Sequence, residues 1–167
     1  MGRFLVTKQP IEHSDPLVAP AKVALGWREW VSLPDLGIAH LKAKVDTGAK
    51  TSALHAFYLE SFEREGQPWV RFGVHPSQFF TDVVIECEAA VKDVRKVTDS
   101  GGHAEMRPVI DTNVVLGGRQ RVIEVTLTDR ESMKFRMLIG RNALRRRYVV
   151  DSGKSFLLGG NRLQPVC

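Results

Sequence analysis

Cysteine is almost missing from this chain: Cys87 and Cys167 are the only two in 167 residues. Two thiols, one in a strand-like run and one at the last position, give no disulfide framework, and both are expected to be free. No run of about eighteen apolar residues occurs, which excludes a membrane-spanning helix. The first residues, MGRFLVTKQPIEHSDPL, carry charge throughout and contain no apolar core of a secretory signal, so a cytoplasmic setting is expected. The HExxH of zinc peptidases and the GxxxxGK[ST] of P-loop nucleotide sites are both missing. The His103-Ala104-Glu105 triplet has no Pro-Cys-x-x-Cys to complete a deaminase site. Aromatic residues make up 8% of the chain and do not interleave with the basic ones as they do in nucleic-acid readers.

What is present is a hydrophobic content of 43%, enough for a core, and 24 basic against 19 acidic residues. The resulting net charge of +5 favours anionic partners, or serves only to keep the surface solvated. Residues 1–20, punctuated by Pro10, Pro16 and Pro20, read as an N-terminal arm, and residues 21–167 as one domain.

The most informative stretch is LKAKVDTGAKTSALHA, residues 41–56. Leu41, Ala43 and Val45 alternate with Lys42 and Lys44, which predicts a half-buried strand. The strand delivers Asp46 into a sharp turn through Thr47, Gly48 and Ala49. Asp-Thr-Gly alone is ordinary turn chemistry, and this chain has two near-copies with Ser at the centre, Asp99-Ser100-Gly101 and Asp151-Ser152-Gly153. Asp99 lacks an apolar lead-in and Gly101-Gly102 reads as a hairpin tip; Asp151 is read into a terminal hairpin.

Downstream, FRMLIGRNAL joins an apolar strand, Met137 to Ile139, to a short helix from Arg141, with Gly140 placed to let that strand pass close to the Asp46 turn. The other strands expected are Val23 to Leu33, Ile38 to Val45, Ala56 to Glu63, Trp69 to Val74, a long Val83 to Val97 returning at Glu105 to Ile110, and a final hairpin over Tyr148 to Leu158. The fold class is all-β, with one short helix in the last third.

VDTGA followed by MLIGRNAL resembles the retropepsin-like aspartic peptidases. With RPVI and LTDR between them, the pattern is similar to the bacterial family named ATP-dependent zinc proteases. The resemblance implies a closed β-barrel and a homodimer in which Asp46 of each subunit forms one catalytic dyad. It implies that the Thr47 hydroxyl bonds across the two-fold axis, that the Gly48 carbonyl meets substrate backbone, and that a hairpin with Gly101 and Gly102 at its tip serves as a flap. Ala49, Lys50 and Arg141 would then border the substrate. Retroviral members carry an acid where this chain has Lys50, so Arg141 lacks its expected carboxylate and the two cations are candidates to face the cleft together. Such a cleft favours acidic substrates. The family's link to ATP-grasp ligases that append glutamates makes glutamate-rich protein tails the sharpest substrate expectation.

No cofactor is expected. Two other readings remain open: a non-catalytic dimeric β module that binds acidic peptides or RNA, with Asp46 in an ordinary turn, and a zinc metallopeptidase built on His55 and His75 with an acid.

Overall fold

The computed structural model describes residues 20–77, 79–129 and 133–159. The expected N-terminal arm, apart from Pro20, and Cys167 lie outside the described residues. In order along the chain run β1 (Val23–Gly26), β2 (Arg28–Leu33), a 3-10 turn (Pro34–Leu36), β3 (Ile38–Val45), β4 (Ser52–Ala56), β5 (Tyr58–Arg64) and β6 (Gln67–Val74). They are followed by β7 (Ile85–Ala90), β8 (Asp93–Thr98), β9 (Ala104–Leu116), β10 (Arg119–Asp129), β11 (Met137–Ile139), α1 (Arg141–Leu144) and β12 (Tyr148–Asp151).

The main sheet has the order β10-β4-β11-β3-β2-β9-β8, and β10 also pairs with β9. That extra pairing closes six strands into a barrel, which removes the unpaired edges an open sheet would leave. The barrel is filled from alternating positions, among them Leu41, Leu54, Ile110, Leu127, Met137 and Ile139, all fully buried. The β9–β10 hairpin turns through Gly117 and Gly118, both at positive φ, the conformation a two-residue hairpin loop requires. Fold class and the single short helix are as expected.

Three expectations are corrected. The run Val23 to Leu33 is two strands, because the chain bends at Trp27 and β1 leaves the barrel to pair in parallel with β12. The run Val83 to Val97 breaks at Val91-Lys92: β7 completes a separate three-stranded sheet, β5-β6-β7, while β8 joins the edge of the main one. A single weakly alternating pattern concealed the change of sheet. The final hairpin does not form. Residues 155–158 are held instead by Glu29, a fully buried carboxylate that accepts from the amides of Gly26 (2.7 Å), Leu157 (2.9 Å) and Leu158 (3.3 Å). Strand β4 was not anticipated, since SALHA is buried on both faces and shows no alternation.

The three-stranded sheet turns Val70, Phe72, Val74 and Cys87 into the core. Its outer face carries Arg64 and Arg71, both bonded to Glu88. Burial, with Glu86 beside it, pushes the Cys87 thiol up to about 12, so it stays an inert thiol. Among the described residues, no helix is long and apolar enough to cross a membrane.

Candidate active site

Strand β3 buries Leu41, Ala43 and Val45 and leaves Lys44 outside, so its end is fixed by the barrel and Asp46 emerges half-buried at the rim. The Asp46 amide donates to the carbonyl of Ile139 at 2.9 Å, extending the parallel β3–β11 ladder into the turn. Its carboxylate is then oriented by two backbone donors: Oδ1 accepts from Gly48 N (3.0 Å) and Ala49 N (3.1 Å). Bonds from neutral amides to an ionised carboxylate are stronger than ordinary ones. Among the described residues Oδ2 receives no hydrogen bond, so one oxygen fixes the group and the other remains available.

Strand β11 clamps the turn from behind. It lies between β3 and β4, parallel to the first and antiparallel to the second. Where it leaves the barrel, Gly140 passes so near Thr51 that a Cβ would sit 2.6 Å from the Thr51 carbonyl carbon. Only glycine allows that approach. The Gly140 amide donates to the buried Ser52 Oγ at 3.0 Å. The next two amides, the first of α1, have no partner within the helix; they donate to the turn instead, Arg141 N to Ala49 O (2.9 Å) and Asn142 N to Lys50 O (3.0 Å).

The Arg141 side chain closes the clamp. Its Nη1 donates to the carbonyls of Thr47 and Gly48, each at 2.8 Å. The carboxylate sought for this arginine is replaced by two carbonyls, and the guanidinium is turned into the loop rather than set beside Lys50 as a second free cation. The Gly48 carbonyl, expected to face substrate, already accepts one bond and keeps a single lone pair. Lys50 and Thr47 are exposed.

Asp46, Thr47, Gly48, Ala49, Lys50 and Arg141 are therefore brought together in one unit. Gly101 and Gly102 are not part of it: they form the tip between β8 and β9, where Asp99 Oδ1 accepts from the amides of Gly101 and His103, both at 2.9 Å. His55 and His75 are packing residues. His55 is 4% exposed on β4, and His75 stacks on the Phe57 ring with centroids 4.3 Å apart. Among the described residues, no three His, Cys, Asp or Glu side chains are grouped so as to hold a metal ion.

Sequence reasoning missed Ser52 and Glu29. Ser52 is visible only once β11 is known to pass beside it. A lone Glu inside the apolar alternation of β2 was the one available signal for Glu29.

The family described as RimB-like, retropepsin-like aspartic endopeptidase RimB, matches residues 24–159. A protein of Shewanella pealeana named "Probable alpha-L-glutamate ligase" is 44% identical over 138 residues, covering 83% of this chain and 30% of its own. A protein of the same name from Parasynechococcus marenigrum is 45% identical over 141 residues, 84% of this chain and 30% of its own. This chain thus spans about a third of the length of the ligases it matches. A crystal structure of a Legionella pneumophila protein of unknown function superposes with a TM-score of 0.67 at 32% identity, covering 83% of this chain and 99% of that one.

Proposed function

The chain belongs to the RimB-like family of retropepsin-like aspartic endopeptidases, and from that membership we propose that it is an active aspartic peptidase working as a homodimer. The observation that carries the proposal is the Asp46 carboxylate, oriented through Oδ1 by Gly48 and Ala49 on a turn clamped by Gly140 and Arg141.

Peptide hydrolysis by this route needs two carboxylates that share one proton, since like charges a few ångströms apart do not both ionise. One chain supplies one. A second copy related by a two-fold axis supplies the other and closes the site symmetrically. The ionised Asp46 removes a proton from water, the protonated one donates to the carbonyl oxygen, and the hydroxide adds to the carbon. Collapse of that tetrahedral centre breaks the C–N bond, with the proton passing to the nitrogen. In this reading the exposed Thr47 hydroxyl bonds across the axis, and the β8–β9 hairpin, with Gly101 and Gly102 at its tip, closes over the substrate.

Lys50 on the turn and the net charge of +5 favour acidic residues beside the scissile bond. The relatives named glutamate ligases carry this domain within a longer chain. A domain that removes glutamates beside one that adds them is a coherent pair, so glutamate-rich protein tails are the proposed substrate and a glutamate ligase the proposed functional partner, in the cytoplasm.

The test is cleavage of glutamate-rich peptides between pH 4 and 8 by the wild-type protein and Asp46→Asn, with and without a chelator, alongside sedimentation. Turnover that disappears in the variant and ignores the chelator is expected, from a dimer. Turnover surviving Asp46→Asn would overturn the proposal.

A further inference from the structure

Four arginines of this protein are matched to a carboxylate. Arg64 and Arg71 meet Glu88, Arg95 meets Glu124 and Arg107 meets Glu105. Five others behave differently. Arg119 and Arg121 at the start of β10, and Arg145, Arg146 and Arg147 after α1, make no ion pair among the described residues, and all but Arg121 are exposed. They converge. Arg121, Arg145 and Arg146 line an open groove of about 390 Å³ together with Asn142. Arg119, Arg121 and Arg147 line the adjoining depression over Tyr148. Burial raises the Tyr148 hydroxyl while these three guanidiniums oppose the shift.

One side chain of the cluster and the backbone beneath it are anchored. Arg121 Nη1 donates to the carbonyls of Ala143 (3.2 Å) and Arg145 (3.5 Å), and the Arg147 carbonyl accepts from Val23 N at 2.9 Å. Arg146 sits at φ +68°, a left-handed conformation that glycine or asparagine adopts at less cost. Mutually repelling cations on a pre-formed wall are a binding device in search of anions.

The anion is a carboxylate chain rather than a nucleic acid. A groove for single-stranded RNA stacks bases on aromatic faces, and no aromatic ring lines this one. The Tyr148 ring in the adjoining depression is half-buried, its hydroxyl donating to Leu116 O. Arginine forks match carboxylates two bonds at a time. Glu124, also on the wall, is neutralised by Arg95 and Lys92 and so does not repel an acidic ligand. The groove begins one short helix from the Asp46 turn: α1 is four residues, about 6 Å long, with Arg141 on the turn and Asn142 in the groove.

We propose that the groove between Arg121, Arg145 and Arg146, continued by Arg119 and Arg147, is a second site that binds the side chains of an acidic peptide away from the scissile bond. The idea rests on the peptidase reading for its purpose but not for its test. Binding is measured with a labelled ten-residue oligoglutamate on full-length Asp46→Asn protein, which cannot turn the peptide over. Two non-overlapping variants are added to that background: Arg145→Gln with Arg146→Asn, and Arg119→Gln with Arg147→Gln.

Each pair is expected to weaken binding at least tenfold with unchanged melting temperature, and to flatten the dependence on salt. In the wild-type background the first pair is expected to raise KM for the long peptide tenfold at constant kcat. Wild-type-like binding by both pairs overturns the proposal, as does an RNA oligomer that competes more tightly than the oligoglutamate. Should no cleavage ever be seen while the arginine pairs still govern binding, the peptidase reading fails and the groove stands; cleavage that needs Asp46 but ignores the arginines has the opposite meaning.

Discussion

Three turns of this protein read Asp-Thr-Gly or Asp-Ser-Gly, and at the level of the turn they are nearly the same object. Asp46 Oδ1 accepts from Gly48 N at 3.0 Å, Asp99 Oδ1 from Gly101 N at 2.9 Å, and Asp151 Oδ1 from Gly153 N at 3.1 Å. Each aspartate mimics a backbone turn with its own side chain. The difference lies behind them. Only the Asp46 turn has a strand inserted at its back, a glycine pressed against its continuation and an arginine bonded to two of its carbonyls. A turn motif becomes a rigid carboxylate mount through distant residues, here those near position 140.

Substitution of the three aspartates breaks the comparison most sharply. Asp46→Asn is expected to lower peptide cleavage by roughly a thousandfold or more, the scale of a lost proton-transfer group. Asp99→Asn and Asp151→Asn, assayed identically, are expected to stay within a factor of about two, because an asparagine Oδ1 still accepts the turn bonds from Gly101 and Gly153.

The glycines come next. Gly140→Ala pushes a methyl into the Thr51 backbone and is expected to cost roughly 1–3 kcal/mol, read as a melting temperature lower by roughly 3–10 °C. Gly101→Ala and Gly153→Ala find their nearest neighbours at 3.3 and 3.5 Å and are expected to leave the melting curve almost unmoved.

Arg141→Ala removes the two bonds from the guanidinium but keeps the clamp's backbone contacts. The expected effect is about 1–2 kcal/mol, seen as roughly a tenfold lower kcat with little change in KM and faster amide exchange at Gly48. An unchanged kcat would mean that β11 alone suffices to fix the turn.

The smallest effect separates the Asp99 turn by the nature of its support. Its hairpin is tied at the base by Glu124, whose carboxyl is held down to about 2 from 4.5, first by Arg95 and then by Lys92. A carboxylate with a depressed folded value stabilises fully above its ordinary value and loses that contribution as pH falls towards about 2. Glu124→Gln is expected to cost about 1 kcal/mol near pH 6 after solvent screening. Thermal melts should show the wild-type advantage vanishing between pH 4.5 and about 2.

Much of this was open to sequence reasoning. The alternation from Leu41 to Val45, the Asp46 turn and the glycine at 140 are local or pairwise signals, and a closed barrel follows from the family they resemble. Strand β4 was hidden because both its faces are buried, and the break at Val91-Lys92 because β7 and β8 share one weak pattern while serving different sheets. Arg141 was assigned to the site but not to its partners, since a backbone carbonyl has no letter in a sequence.

The amino-acid sequence by itself determined which carboxylate could matter, because a strand's alternation and a turn's glycine are written over a few consecutive residues. Only the tertiary structure decided how that carboxylate is held and that five arginines with no ion pair among the described residues line one groove and the depression beside it. Both depend on chain segments far apart in sequence, whose approach is set by packing of the whole barrel.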